Sequence, residues 1–95
     1  MAQEQYQEDT TTLTQESPTY SIVLWNDDVN TFDWVIQALV EICDMQETQA
    51  EQCSLIVHFK GKCVVAEGEY NELKPKCTAF TDRGIQASIE QFANQ

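Results

Sequence analysis

What this chain can become is constrained first by the run Tyr20-Ser21-Ile22-Val23-Leu24-Trp25. Branched and aromatic residues at that density fit a pleated surface and predict a β-strand. Asn26-Asp27-Asp28 ends it, because Asx side chains bond nearby backbone and favour turns. The apolar stripes that follow read as the elements packed against this strand.

Asn30 reads as the N-cap of a first helix, with Asp33 near its positive end. Phe32, Val35, Ile36, Leu39, Val40 and Cys43 then recur at three- and four-residue spacing, the signature of one helical face. Thr48-x-x-Glu51 has the form of a capping box and predicts a second helix. Its stripe is Ala50, Cys53, Ser54 and Val57, widened by Leu55, Ile56 and Phe59, and Gly61 suits the left-handed residue that ends such a helix. Cys63 to Ala66 reads as a second strand, with a turn at Gly68. A third helix is expected from about Asn71 to Arg83, stopped by Gly84, with Pro75 near the end of its first turn. Ile85, Ala87 and Ile89 alternate with Gln86, Ser88 and Glu90, which predicts a half-buried strand. The order βααβαβ implies an α+β domain: three helices against a small three-stranded antiparallel sheet. Residues 1–18 are dominated by Gln, Glu and Thr. They are expected to form a disordered extension, leaving 19–95 as the single core domain.

Charge narrows the partners. Residues 1–59 hold eleven Asp and Glu and no Lys or Arg, whereas residues 60–95 hold five of each sign. A nucleic-acid binder needs a basic face, and anionic membranes attract polybasic segments, so neither is expected. No apolar run approaches the roughly 20 residues of a membrane span. Acids stand where a signal peptide would have a basic region, so a cytoplasmic chain is expected.

Cys43, Cys53, Cys63 and Cys77 are at least ten positions apart, too far for the close pairs of zinc sites, and free Cys mostly serves as a small buried hydrophobe. The acids Asp27 and Asp28 have neither calcium-loop spacing nor a converging nucleophile. No metal, cofactor or catalytic residue is expected.

Three segments resemble the ClpS adaptors of bacterial and plastid proteolysis: Tyr20-x-Ile22-Val23-Leu24-x-Asn26-Asp27-Asp28, Phe32-x-Trp34-Val35-Ile36-x-x-Leu39 and Val57-His58-x-x-Gly61-Lys62. The resemblance covers roughly residues 20–91. It implies a non-enzymatic adaptor for N-end-rule degradation, which binds proteins with an N-terminal Leu, Phe, Tyr or Trp. Such adaptors deliver their cargo to the N-domain of a Clp-type AAA+ unfoldase, ClpA- or ClpC-like, working with the ClpP peptidase. By the same resemblance Asn26, Asp27 and His58 fall where the α-amino group and first peptide unit are held. Asn30, Phe32, Val35, Val57 and Ile85 fall in the side-chain pocket. Asn71 and Lys76 fall in the third-helix region that meets the unfoldase, and residues 1–18 resemble the extension that takes part in delivery.

This chain departs from the family pattern at several positions. Ser54 stands where many members have a Met that fences the pocket, which implies a roomier cavity and better tolerance of N-terminal Ile or Val. Val29 replaces a frequent aromatic residue, Thr31 a frequent Pro, and the third helix is shorter, with Pro75 inserted.

Elementary chemistry is consistent with that role. An α-amino group with a pKa of about 8 is largely an ammonium with three donors at neutral pH. Asn26 supplies a carbonyl acceptor, neutral His58 a ring nitrogen, and Asp27 a negative charge. Protonated His58 can only donate, so acid is expected to weaken binding. Two other classes remain open on the sequence. The βααβαβ order also resembles the C-terminal domain of the ribosomal stalk protein, a protein–protein interaction module, although that domain lacks the Asn-Asp-Asp turn and the Val-His pair. A thiol enzyme would require a depressed Cys pKa.

Overall fold

The computed structural model describes residues 19–91, and the extension expected at 1–18 lies outside the described residues. The element order is β1 (Tyr20–Trp25), α1 (Phe32–Cys43), α2 (Glu47–Lys60), β2 (Lys62–Gly68), α3 (Tyr70–Asp82) and β3 (Ala87–Gln91). The three strands form one antiparallel sheet in the order β2-β1-β3, so the α+β architecture is as expected.

β1 is the middle strand, and Ser21 to Leu24 are all buried. Successive side chains of a strand point to opposite faces. Ile22 and Leu24, both fully buried, join Ala38 and Leu39 of α1, Ala50 and Val57 of α2, and Leu73 and Phe80 of α3 in the core. On the other face Val23 lies between Val64 and Ser88 of the flanking strands. Trp25 Nε1 there donates to Ser88 Oγ at 2.9 Å, and the Lys62 ammonium sits 5.3 Å from the Trp25 ring centroid, a favourable cation–π distance. A register shift between Ile22 and Val23 skips Val65 in the pairing with β2. This bulge lets both Val65 and Ala66 pack against the core.

Helix boundaries differ from the sequence reading in instructive ways. Thr31, not Asn30, is the N-cap of α1: its hydroxyl accepts from the Trp34 N–H at 3.2 Å. α1 ends on Asp44 at φ 57°, a left-handed conformation that Asp tolerates better than most residues. Thr48 does not cap α2. That helix begins at Glu47 after Gln46, which makes no capping bond, so Thr48 already lies in the first turn. Gly61 ends α2 as expected, with φ 93° and its N–H bonded to Val57 O. The back-reaching half of a capping box occurs instead at α3, where Glu72 Oε1 accepts from the Glu69 N–H at 3.4 Å. Because α3 starts at Tyr70, one residue before the expected Asn71, Pro75 stands in its second turn, just past the expected place, and the helix continues through it. Ile85 precedes β3 rather than belonging to it; its N–H bonds Phe80 O at 3.1 Å and its side chain is buried.

The Asn26–Asn30 connection is tied by one carboxylate. Asp27 Oδ1 accepts from the backbone N–H of Val29 and of Asn30, both at 2.8 Å, and Oδ2 accepts from Asn30 Nδ2 at 2.8 Å. Partial burial pushes the Asp27 pKa up, but the bonds from Asn30 backbone, Asn30 side chain and Val29 backbone together outweigh it, leaving the group below the ordinary Asp value.

Two outcomes follow. Pro75 lacks the N–H that would bond Asn71 O, so Pro75→Ala should raise unfolding stability by about 1–2 kcal/mol, read as a higher urea midpoint at unchanged slope. A carboxylate with a lowered folded pKa stabilises fully above its unfolded pKa and loses that contribution as pH falls through the folded value. Thermal melts of wild type and Asp27→Asn should therefore differ most at neutral pH and converge below about pH 4.

Candidate functional site

Where the end of β1, the start of α1, the C-terminal half of α2 and the approach to β3 meet, they leave an open cavity of about 320 Å³. That volume lies at the small end of the range for ligand sites. Backbone bonds from the end of β1 hold its parts in place. The Trp25 N–H bonds Gln86 O at 3.0 Å, and the Asn26 N–H bonds Gly61 O at 2.9 Å. The second bond fastens the Asn-Asp-Asp turn to the turn that follows α2, and so to the helix end that carries Val57 and His58.

Asn30 is fixed by both of its amide hydrogens. Nδ2 donates to Asp27 Oδ2 at 2.8 Å and to Gly84 O at 2.9 Å, which leaves its Oδ1 as an acceptor. Gly84, at φ 79°, takes a left-handed conformation that suits glycine. The segment it belongs to is held against α1 by Arg83. The Arg83 guanidinium pairs with Glu41 at 2.6 Å and lies 5.8 Å from the Trp34 ring centroid, while Trp34 Nε1 donates to Arg83 O at 3.0 Å. Ile85 follows directly and enters the cavity wall.

The wall has two characters. Leu24, Ser54, Val57 and Ile85 are buried and, apart from Ser54, apolar. Asn26, Asp27, Asp28 and His58 are more exposed and supply acceptors and negative charge. The lining includes two carboxylates and no Lys or Arg. Phe32, 44% exposed, meets the His58 ring edge-to-face at 5.4 Å, and His58 meets Phe59 in the same manner at 4.8 Å. Such contacts favour one ring orientation over others.

All nine residues expected to hold an N-terminus or its side chain line this one cavity: Asn26, Asp27, Asn30, Phe32, Val35, Ser54, Val57, His58 and Ile85. Leu24, Trp25, Asp28 and Thr31 line it as well. Leu24 and Trp25 are indistinguishable from core residues in the strand pattern, and Thr31 carries only a capping signal. Asn71 and Lys76 lie away from the cavity on α3. Five residues apart, they are separated by about 140° around the helix and do not share a face. The neighbouring Lys74 sits 5.9 Å from the Tyr70 ring centroid.

No group of three or more His, Cys, Asp or Glu among the described residues could hold a metal ion. Burial raises the pKa of the Cys43 and Cys77 thiols. The Cys63 thiol is pushed up to about 11, first by burial and then by the neighbouring Cys53 thiol. Those groups therefore stay protonated at neutral pH, the opposite of what a thiol nucleophile needs. No helix among the described residues is long and apolar enough to cross a membrane.

Comparison with known proteins agrees with the resemblance. A structure of Agrobacterium tumefaciens ClpS2 bound to L-phenylalaninamide superposes with a TM-score of 0.78 at 23% identity, covering 81% of this chain and all of that one; at that identity the likeness is one of fold. The ATP-dependent Clp protease adapter protein ClpS of Corynebacterium glutamicum is 25% identical over 83 residues, 87% of this chain and 83% of that protein. The ClpS of Hydrogenovibrio crunogenus is 40% identical over 57 residues, 58% of this chain and 55% of that protein. The family model described as ATP-dependent Clp protease adaptor protein ClpS matches residues 15–88. The chain belongs to the ClpS family of Clp protease adaptors.

Proposed function

We propose that the cavity receives the free N-terminus of a substrate protein whose first residue is bulky and hydrophobic, and that this chain hands the substrate to a Clp-type AAA+ unfoldase. The observation that carries the reading is the joining of an acceptor-rich, acidic mouth to a buried apolar wall in one cavity. An N-terminal residue has the matching shape: an ammonium at one end, a side chain at the other. The ammonium goes to Asn26, Asp27 and His58. The side chain goes against Val35, Ser54, Val57 and Ile85, with Phe32 and Asn30 at the border. L-Phenylalaninamide, bound by the Agrobacterium ClpS2, presents that same pair of groups.

Magnitudes support selectivity without catalysis. Burying a Leu or Phe side chain contributes about 1.5–3 kcal/mol. Leaving a buried acceptor unpaired costs about 1–3 kcal/mol, so a blocked or internal amide is disfavoured at the mouth. Asp27 supplies the negative charge, and its hydrogen bonds hold its pKa below the ordinary Asp value. Delivery is assigned to α3, through Asn71 and Lys76, and to residues 1–18. The partner is the N-domain of a ClpA- or ClpC-like unfoldase.

A Leu-initiated fluorescent peptide should bind at least about tenfold more tightly than its N-acetylated twin; equal binding would remove the N-terminus from the reading. His58→Ala should weaken binding of the Leu-initiated peptide by about 3- to 10-fold through the loss of one acceptor. Ser54→Met should narrow the cavity and raise the preference for Leu over the Cβ-branched Ile; an unchanged ratio would show that Ser54 does not control the width.

A further inference from the structure

Resting on that binding mode, we infer that the Ser54 hydroxyl selects for a hydrogen-bonding group at the far end of the incoming side chain, so that N-terminal Tyr is preferred over Phe. Ser54 lies in the middle of α2, lines the cavity and is 2% exposed. Its Oγ is buried and has no hydrogen-bond partner among the described residues. Buried polar atoms are nearly always paired, and a serine inside a helix commonly bonds the carbonyl four residues back. For Ser54 that carbonyl belongs to Ala50, and the bond is not made.

No side chain of the buried wall satisfies the hydroxyl. Its buried companions in the lining are Leu24, Val57 and Ile85, which offer no polar side-chain atom. Asn30 commits both amide hydrogens to Asp27 and Gly84, and its Oδ1 makes no bond to Ser54. Asn26, Asp27 and His58 belong to the ammonium end of the ligand. The unmade bond therefore falls to whatever fills the cavity. A side chain suited to it has an apolar body for the wall and a polar tip, and the phenol of Tyr both donates and accepts. As placed, the Oγ has almost no accessible surface, so it must turn on the single torsion χ1 to face the cavity, which needs no backbone change. A site that bonds a ligand hydroxyl discriminates against the analogue lacking it, whereas an apolar wall separates the two poorly.

The test compares three peptides that differ only at the first residue: Tyr, Phe and 4-fluorophenylalanine, which fills the para position without donating. One hydrogen bond corresponds to a preference of about 3- to 10-fold. Wild type should bind the Tyr peptide more tightly than both others by that factor. Ser54→Ala should bring the Tyr/Phe ratio to about one. A wild-type ratio of one, a ratio that survives Ser54→Ala, or a fluoro peptide that matches Tyr would each overturn the inference while leaving the N-terminus reading intact. If none of the three binds, the N-terminus reading fails and the inference fails with it.

Discussion

The Asp27 carboxylate is the joint on which the cavity depends. It takes three hydrogen bonds within four residues, turning the chain out of β1 and presenting Thr31 at the start of α1. Through Asn30 the same joint reaches Gly84, fifty-four residues on, so the turn after β1 and the approach to β3 move as one. A neighbouring bond, Asn26 N–H to Gly61 O, brings the end of α2 into the assembly. Three segments far apart in sequence are thereby fixed around one space by the Asn30 amide, a carboxylate and backbone groups. The arrangement also explains why a charge can sit there stably: Asp27 is held ionised by the bonds that shape the turn.

Much of this was legible in the sequence. β1 was read to its correct ends because six residues of strand-forming chemistry stop at three Asx residues, and Gly61 was read as a helix end because its conformation excludes most other residues. Helix starts were less legible. The Thr48/Glu51 pattern has the form of a capping box, yet α2 starts two residues earlier, at Glu47 after Gln46. The working half-box at α3 is built from Glu69 and Glu72, a pair no capping pattern would single out. Asn30 was misread as a cap because Asn serves that role so often; its amide is instead spent on Asp27 and Gly84.

The cavity was legible in part for a different reason. Asn26, Asp27 and His58 stand out as polar groups beside apolar stripes, and the three family-like segments bring them into register. Leu24 and Trp25 could not be singled out, since a strand residue lining a cavity looks the same in sequence as one filling a core. The acidic bias of residues 1–59 first served only to exclude polyanions. In the folded chain part of it becomes local, as Asp27 and Asp28 in a lining without Lys or Arg.

The position of β1 has one more consequence. The strand enters the sheet at Tyr20 and reaches the cavity at Leu24 and Trp25, so its two ends are about 17 Å apart along the strand axis. Tyr20 thus stands at the opposite end of the strand from the cavity mouth. A dye, tag or fusion joined there leaves the mouth free, whereas the same attachment within the Asn26–Asn30 turn would block it.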